Sequence, residues 1–88
     1  MEWLGLQEKG ALKWATALVK RGEGQPEHTH PEAQSLVLED GHIQVWSPSY
    51  VGELRAPARI FFLAHEPHGW EALAPSLVFS LWKRPADA

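Results

Sequence analysis

The stretch Gly22-Glu-Gly-Gln-Pro-Glu-His28-Thr-His30-Pro-Glu-Ala-Gln34-Ser-Leu-Val-Leu-Glu-Asp-Gly41 decides how the rest of the chain is interpreted. Alternate residues of a strand point to the same side, so His28 and His30 can present both imidazoles to one cation. Gln34 is a third possible ligand, and a glycine stands at each end. The stretch therefore predicts half of a metal site. We expect the other half in His65-Glu-Pro-His68-Gly-Trp70, which follows an apolar run.

The composition restricts the site to particular ligands and partners. A chain of 88 residues is the size of one domain, and we take residues 1–88 as that domain. It has no cysteine, so a disulfide framework and thiolate ligands are excluded, and imidazole and oxygen ligands remain. The net charge of −3, from 8 basic and 11 acidic residues, gives no electrostatic footprint for nucleic acid or an anionic membrane.

The N-terminal residues 1–9 lack the basic start and the long apolar segment of a secretory signal. No apolar run reaches the length of a transmembrane helix. We therefore expect a cytoplasmic protein.

The apolar pattern has a period near two, and its short runs are separated by Gly and Pro. This pattern predicts an all-β chain of seven or eight strands, folded as a small antiparallel barrel or two-sheet sandwich. Predicted strands cover residues 12–19, 36–38, 43–46, 60–63 and 77–82.

Three details of that pattern can be tested. Asp40-Gly41 between two apolar runs predicts a hairpin. The continuous run at residues 60–63 predicts a strand buried on both faces. The polar residues 83–88 are expected to fray.

The glycine and histidine spacing is similar to the first motif of the cupins, in particular the small single-domain kind. In that motif glycine, two histidines, a glutamate and a second glycine recur at fixed spacing. Gly22, His28, His30 and Gly41 stand in register with it, and Gln34 stands where the family has Glu. Residues 60–73 resemble the second motif more loosely, with His68 in the place of the last ligand.

The resemblance implies an antiparallel double-sheet β-barrel, or jelly roll, that holds one divalent transition metal inside. His28, His30 and His68 would converge on the metal together with residue 34. Imidazole suits Fe, Mn, Ni, Zn and Cu, and the sequence does not choose among them. With Gln in place of Glu, the ion would keep its full positive charge and act as a stronger Lewis acid.

The geometry of the first motif requires a turn. In an extended chain residue 34 would lie roughly 13 Å beyond His30, too far for one ion. Pro31 favours a turn that returns Gln34 beside His30 on an adjacent strand. Glu32 would lie in that turn, at the mouth of the barrel. We favour Gln34 as the residue that faces the metal, and Glu32 remains open as its competitor or as a substrate contact.

Other residues near the motifs have simpler explanations. His65 is more typical of a polar rim position than of a ligand, and with Glu32 it is a candidate for proton transfer. Core packing accounts for most of the five tryptophans. The exception is Trp70, which has the same parity as His68 and is expected to form a wall of the pocket.

Two classes of function are consistent with the sequence. The first is a metal-dependent oxygenase or isomerase that acts on a small molecule. The second is a non-catalytic barrel that binds or senses a ligand and has lost metal chemistry. In both cases the partner is a small molecule. A homodimer is also expected, since it would cover the apolar N-terminal segment at residues 3–6.

Overall fold

The computed structural model describes residues 1–85, and within them all regular structure is β-strand. The all-β prediction is confirmed. There is no helix in this range that is long and apolar enough to cross a membrane. The strands are β1 (Glu2–Lys9), β2 (Leu12–Val19), β3 (Gly24–His28), β4 (Ala33–Asp40), β5 (His42–Trp46), β6 (Val51–Arg55), β7 (Ala58–Phe62), β8 (His68–Ala72) and β9 (Ser76–Lys83).

The described residues thus contain nine strands, where the sequence predicted seven or eight. β1 was missed because its eight residues are all exposed, so no buried face produces an alternating pattern to detect. It pairs only with β2, and its ladder is interrupted by an irregularity between Leu4 and Gln7.

Two antiparallel sheets face each other around one core. The first has the strand order β1-β2-β9-β4-β7, and the second has the order β3-β8-β5-β6. Alternate residues of each strand point inward and pack together, as the period of two requires. The predicted double-sheet barrel is confirmed, and its fully buried centre is formed by Leu36, Leu38, Ile43, Val45, Phe62 and Val78.

The predicted hairpin at Asp40-Gly41 is wrong. β4 belongs to the first sheet and β5 to the second, so the chain changes sheets at this point. Gly41 has φ of 103°, which L side chains rarely adopt, and an added Cβ would lie 2.6 Å from the Pro75 carbonyl oxygen. An Asp-Gly pair signals a tight reversal, but it does not show which strand the chain joins afterwards.

Two predictions about burial are also corrected. β7 is an edge strand, and Phe61 is 54 % exposed whereas Phe62 is fully buried, so one face of the strand is covered rather than both. Lys83 belongs to β9, and the Arg84 guanidinium donates to the Gly10 carbonyl at 2.6 Å. The predicted fraying does not apply to these two residues, and residues 86–88 lie outside the described part of the chain.

Candidate metal centre

Three histidines meet inside one end of the barrel. His28 ends β3 and His68 begins β8, and the two are direct partners across the antiparallel ladder. His30 follows two residues after the end of β3. One ring nitrogen from each of the three lies within 4.8 Å of the others. We call His28, His30 and His68 the histidine triad.

Backbone carbonyl groups fix the tautomer of every ring in the triad. The Nδ1 atoms of His28, His30 and His68 lie 2.7, 2.8 and 2.7 Å from the carbonyl oxygens of residues 26, 32 and 66, respectively. A carbonyl oxygen only accepts hydrogen bonds, so each Nδ1 carries the proton. In the neutral ring this tautomer leaves a free lone pair on Nε2, which is the form of imidazole that binds a metal.

Gln34 adds an oxygen to the same point. Its side chain is 4 % exposed, and its Oε1 lies 3.2 Å from the Nε2 atoms of both His30 and His68. Its amide nitrogen donates to Ser80 Oγ at 3.2 Å, which holds the carbonyl end toward the rings. Three acceptor atoms with no proton among them therefore face one another. A cation between them satisfies all three, so these side chains fit a metal ion.

The chain reaches this arrangement through the predicted turn. Pro31 and Glu32 form a bend between β3 and β4. The predicted position of Gln34 on an adjacent strand is wrong, because β3 and β4 lie in opposite sheets. The bend carries the chain across the barrel, and Gln34 approaches the triad from the facing sheet.

His68 is the most enclosed member of the triad, at 1 % exposure. The Phe62 ring stacks on it, with centroids 4.2 Å apart and planes 8° from parallel. Burial, reinforced by the neighbouring His28 and His30, lowers the pKa of His68, although the hydrogen bond to the Glu66 carbonyl acts in the opposite direction. His68 is therefore neutral near pH 7, and its lone pair is available for a metal.

Glu32 and His65, the candidates for proton transfer, lie away from the point where the Nε2 atoms meet. The Glu32 carboxylate is 3.7 Å from Nδ1 of His30, on the far edge of the ring. His65 is exposed, with φ of 64°, in the turn before β8. Its backbone N–H donates to the His30 carbonyl at 2.8 Å, so this residue joins the two segments that carry the triad.

A pocket of about 460 Å³ opens beside the triad and is bordered by His28 and Gln34. Trp70, which shares the parity of His68 on β8, is among its lining residues. Trp3 and Trp82 line it as well, although neither was predicted to belong to the site. The available signal was that Trp82 and the buried Ser80 share one face of β9. We call this cavity the indole pocket.

Comparison with solved structures identifies the architecture. A cupin superfamily protein from Desulfitobacterium hafniense superposes with a TM-score of 0.87 and 11 % identity, covering 96 % of this chain and 77 % of that one. An RmlC-like cupin from Shewanella frigidimarina gives 0.77 and 16 %, with coverages of 94 % and 86 %. The chain has the cupin fold. KdgF from Halomonas sp. is also similar, at 0.83 and 21 %, with coverages of 99 % and 89 %.

No protein-family profile matches the sequence, and no curated protein matches it at a significant level. The identities to these cupins are low, so the comparisons establish the fold. The chemistry of the site depends on its own side chains. In this barrel the indole pocket adjoins the triad at His28 and is bordered by Gln34 as well.

Proposed function

We propose that this chain binds one divalent transition metal through Nε2 of His28, His30 and His68, with Oε1 of Gln34 as the fourth donor. The observation that carries the proposal is the set of three Nδ1 protons committed to backbone carbonyls. This commitment turns every lone pair of the triad toward one point. The metal identity is open among Fe, Mn, Ni, Zn and Cu, all of which accept imidazole.

The protein groups around the metal site hold the donors in position. The Phe62 ring stacks on the His68 ring and fixes its orientation. Ser80 Oγ accepts a hydrogen bond from the Gln34 amide, which keeps the Gln34 carbonyl turned inward. When bound, the ion would supply a Lewis acid whose charge no carboxylate offsets. Trp70 is buried and forms one wall of the indole pocket.

We further propose that the indole pocket binds a small molecule next to the metal. Its volume of about 460 Å³ lies in the range usual for sites of small ligands. If the chain is an enzyme, oxygenase or isomerase chemistry suits a metal with an adjoining pocket. The alternative is a ligand-binding or sensing barrel without metal chemistry. The pocket lining contains neither Glu32 nor His65, so we assign no catalytic role to either residue.

The first test is elemental analysis of protein purified without an affinity tag or chelator. We expect close to one metal ion per chain in the wild type and none in the His28→Ala, His30→Ala double variant. His65→Asn is the control, because it removes an exposed imidazole and Asn tolerates positive φ. A wild type that neither contains metal nor takes it up on dialysis would overturn the metal proposal and favour the sensing barrel.

Oxygen consumption tests for an oxygenase once the metal is known. With iron, nickel or copper bound, an oxygenase consumes dioxygen in the presence of its substrate, whereas an isomerase or a sensing barrel does not. The single domain over residues 1–88, the homodimer and the cytoplasmic location also belong to this proposal, and they rest on the sequence.

A further inference from the structure

The indole pocket has an unbalanced charge. Within residues 1–85 its lining contains one charged side chain, Lys13, and no acidic residue. The proposed metal-site residues that border it, His28 and Gln34, bring no acidic group to the pocket. A divalent ion at the triad would therefore face the pocket with its charge uncompensated, and the Lys13 ammonium adds a further positive charge. Charges withdrawn from water are stable only with partners, so the pocket favours an anionic occupant.

Lys13 belongs to the interior row of the first sheet. Ala15 and Ala17 on β2 are buried, and Lys13 shares their parity, so it leans toward the inside of the barrel. In the ladders Lys13 lies opposite Trp82, which lies opposite Gln34. Two strand spacings separate the Lys13 and Gln34 backbones by about 10 Å, a distance that a small molecule can span.

The Lys13 ammonium is available for a ligand. Its Nζ lies 5.1 Å from the centroid of the Trp82 ring, and this cation–π contact positions the ammonium. No carboxylate among the described residues comes within 4.0 Å of it. Glu8 is its partner across the ladder with β1, and Glu8 and Glu32 both line a small cleft beside Lys13, so they are the competing partners.

The remaining walls are apolar and flat. Trp3, Trp70 and Trp82 contribute indole rings, and the rings of Trp3 and Trp82 lie 6.2 Å apart at 50°. Indole faces pack best against planar groups. The pocket therefore combines one cation with aromatic walls and a border at His28 and Gln34.

We propose that the indole pocket binds a small organic carboxylate with a planar, apolar body. The carboxylate pairs with Lys13, the body lies against the indole rings, and the opposite end faces the histidine triad. This inference names the ligand class of the proposed metal site and rests on that proposal only for the charge of the ion. The Lys13 pairing and the aromatic contacts do not require the ion.

The test compares two probes of nearly equal shape, para-fluorobenzoate and para-fluorobenzamide, by fluorine NMR titration of the zinc-loaded protein. We expect the benzoate to bind about tenfold tighter, because its contact with Lys13 joins two ions. Lys13→Gln should reduce this preference to roughly threefold or less, and Lys13→Arg should restore it. Lys83→Gln is the matched control, since it removes the same charge from the outer face of β9.

Zinc stoichiometry in the same samples distinguishes this inference from the metal proposal. Full zinc binding without a preference for the benzoate, or with a preference that Lys13→Gln leaves unchanged, would overturn the inference and leave the metal site intact. A preference that depends on Lys13 in protein unable to bind zinc would support the inference while the metal proposal fails. Failure of both probes to bind would also overturn it.

Discussion

Gln34 would leave the charge of an ion bound at the histidine triad uncompensated. Its Oε1 lies 3.2 Å from the Nε2 atoms of His30 and His68, but the amide brings no negative charge. A glutamate of the same length would place a carboxylate at this point. With Gln34 the site should bind a metal ion less tightly than it would with glutamate, but the bound ion should polarise its ligands more strongly.

Gln34→Glu should consequently raise zinc affinity by about tenfold or more, because the added charge attracts the ion in a buried site. Ser80 Oγ can donate to the new carboxylate, so the side chain keeps its partner. Competition with a chromophoric zinc chelator measures the change. Gln7→Glu on the exposed strand β1 is the control and should leave the affinity unchanged. An unaltered affinity in Gln34→Glu would show that residue 34 does not contact the ion.

The elements show which features a sequence can predict. β2 was predicted with its observed bounds, because one buried face produces a clear period of two. The spacing around His28 and His30 predicted that the two side chains lie together, and both belong to the histidine triad. β1 and the Lys13–Trp82 row could not be assigned, since β1 has no buried face and the row forms only when β2 pairs with β9. Pairing between distant strands leaves no local signal in the chain.

The change of sheet at Gly41 leads to a prediction about the link between β4 and β5. Gly41→Ala should destabilise the protein by at least about 2 kcal/mol, since it combines positive φ with contact against the Pro75 carbonyl and the Ser76 side chain. Gly10→Ala is the matched control, with φ of 60° and no atom within 4 Å of the added Cβ. It should lose only about 1 kcal/mol, from backbone strain alone. Urea unfolding measures both, and equal losses would contradict the argument.

At the scale of the whole molecule, metal binding should stabilise the fold. The unfolded chain cannot assemble the triad, so free zinc at a hundred times its Kd should add about 2.7 kcal/mol. For a domain of this size that corresponds to a rise in Tm of roughly 10–20 °C. The His28→Ala, His30→Ala double variant should show no such rise in differential scanning calorimetry. An equal rise in that variant would mean that zinc acts elsewhere.

The outer face of the first sheet favours the predicted homodimer. Leu4, Leu12 and Leu18 are 43 %, 38 % and 44 % exposed on neighbouring strands, and Phe79 shares that face on β9. Sedimentation equilibrium should give twice the chain mass of 9.9 kDa. Leu18→Glu should produce a monomer, because it places a charge within the apolar contact. Val51→Glu, on the edge of the second sheet, should remain dimeric, and a monomeric wild type would exclude the dimer.

β1 buries none of its residues and is held by a single neighbour, yet its Trp3 and Leu6 form part of the wall of the indole pocket. The segment should therefore detach in a local opening far below the free energy of global unfolding. Its amide protons should exchange with deuterium well before those of β2 and β9, which lie inside the sheet. Such openings would uncover the cavity while the histidines stay in place, so the residence time of a bound ligand would follow the fluctuations of one edge strand.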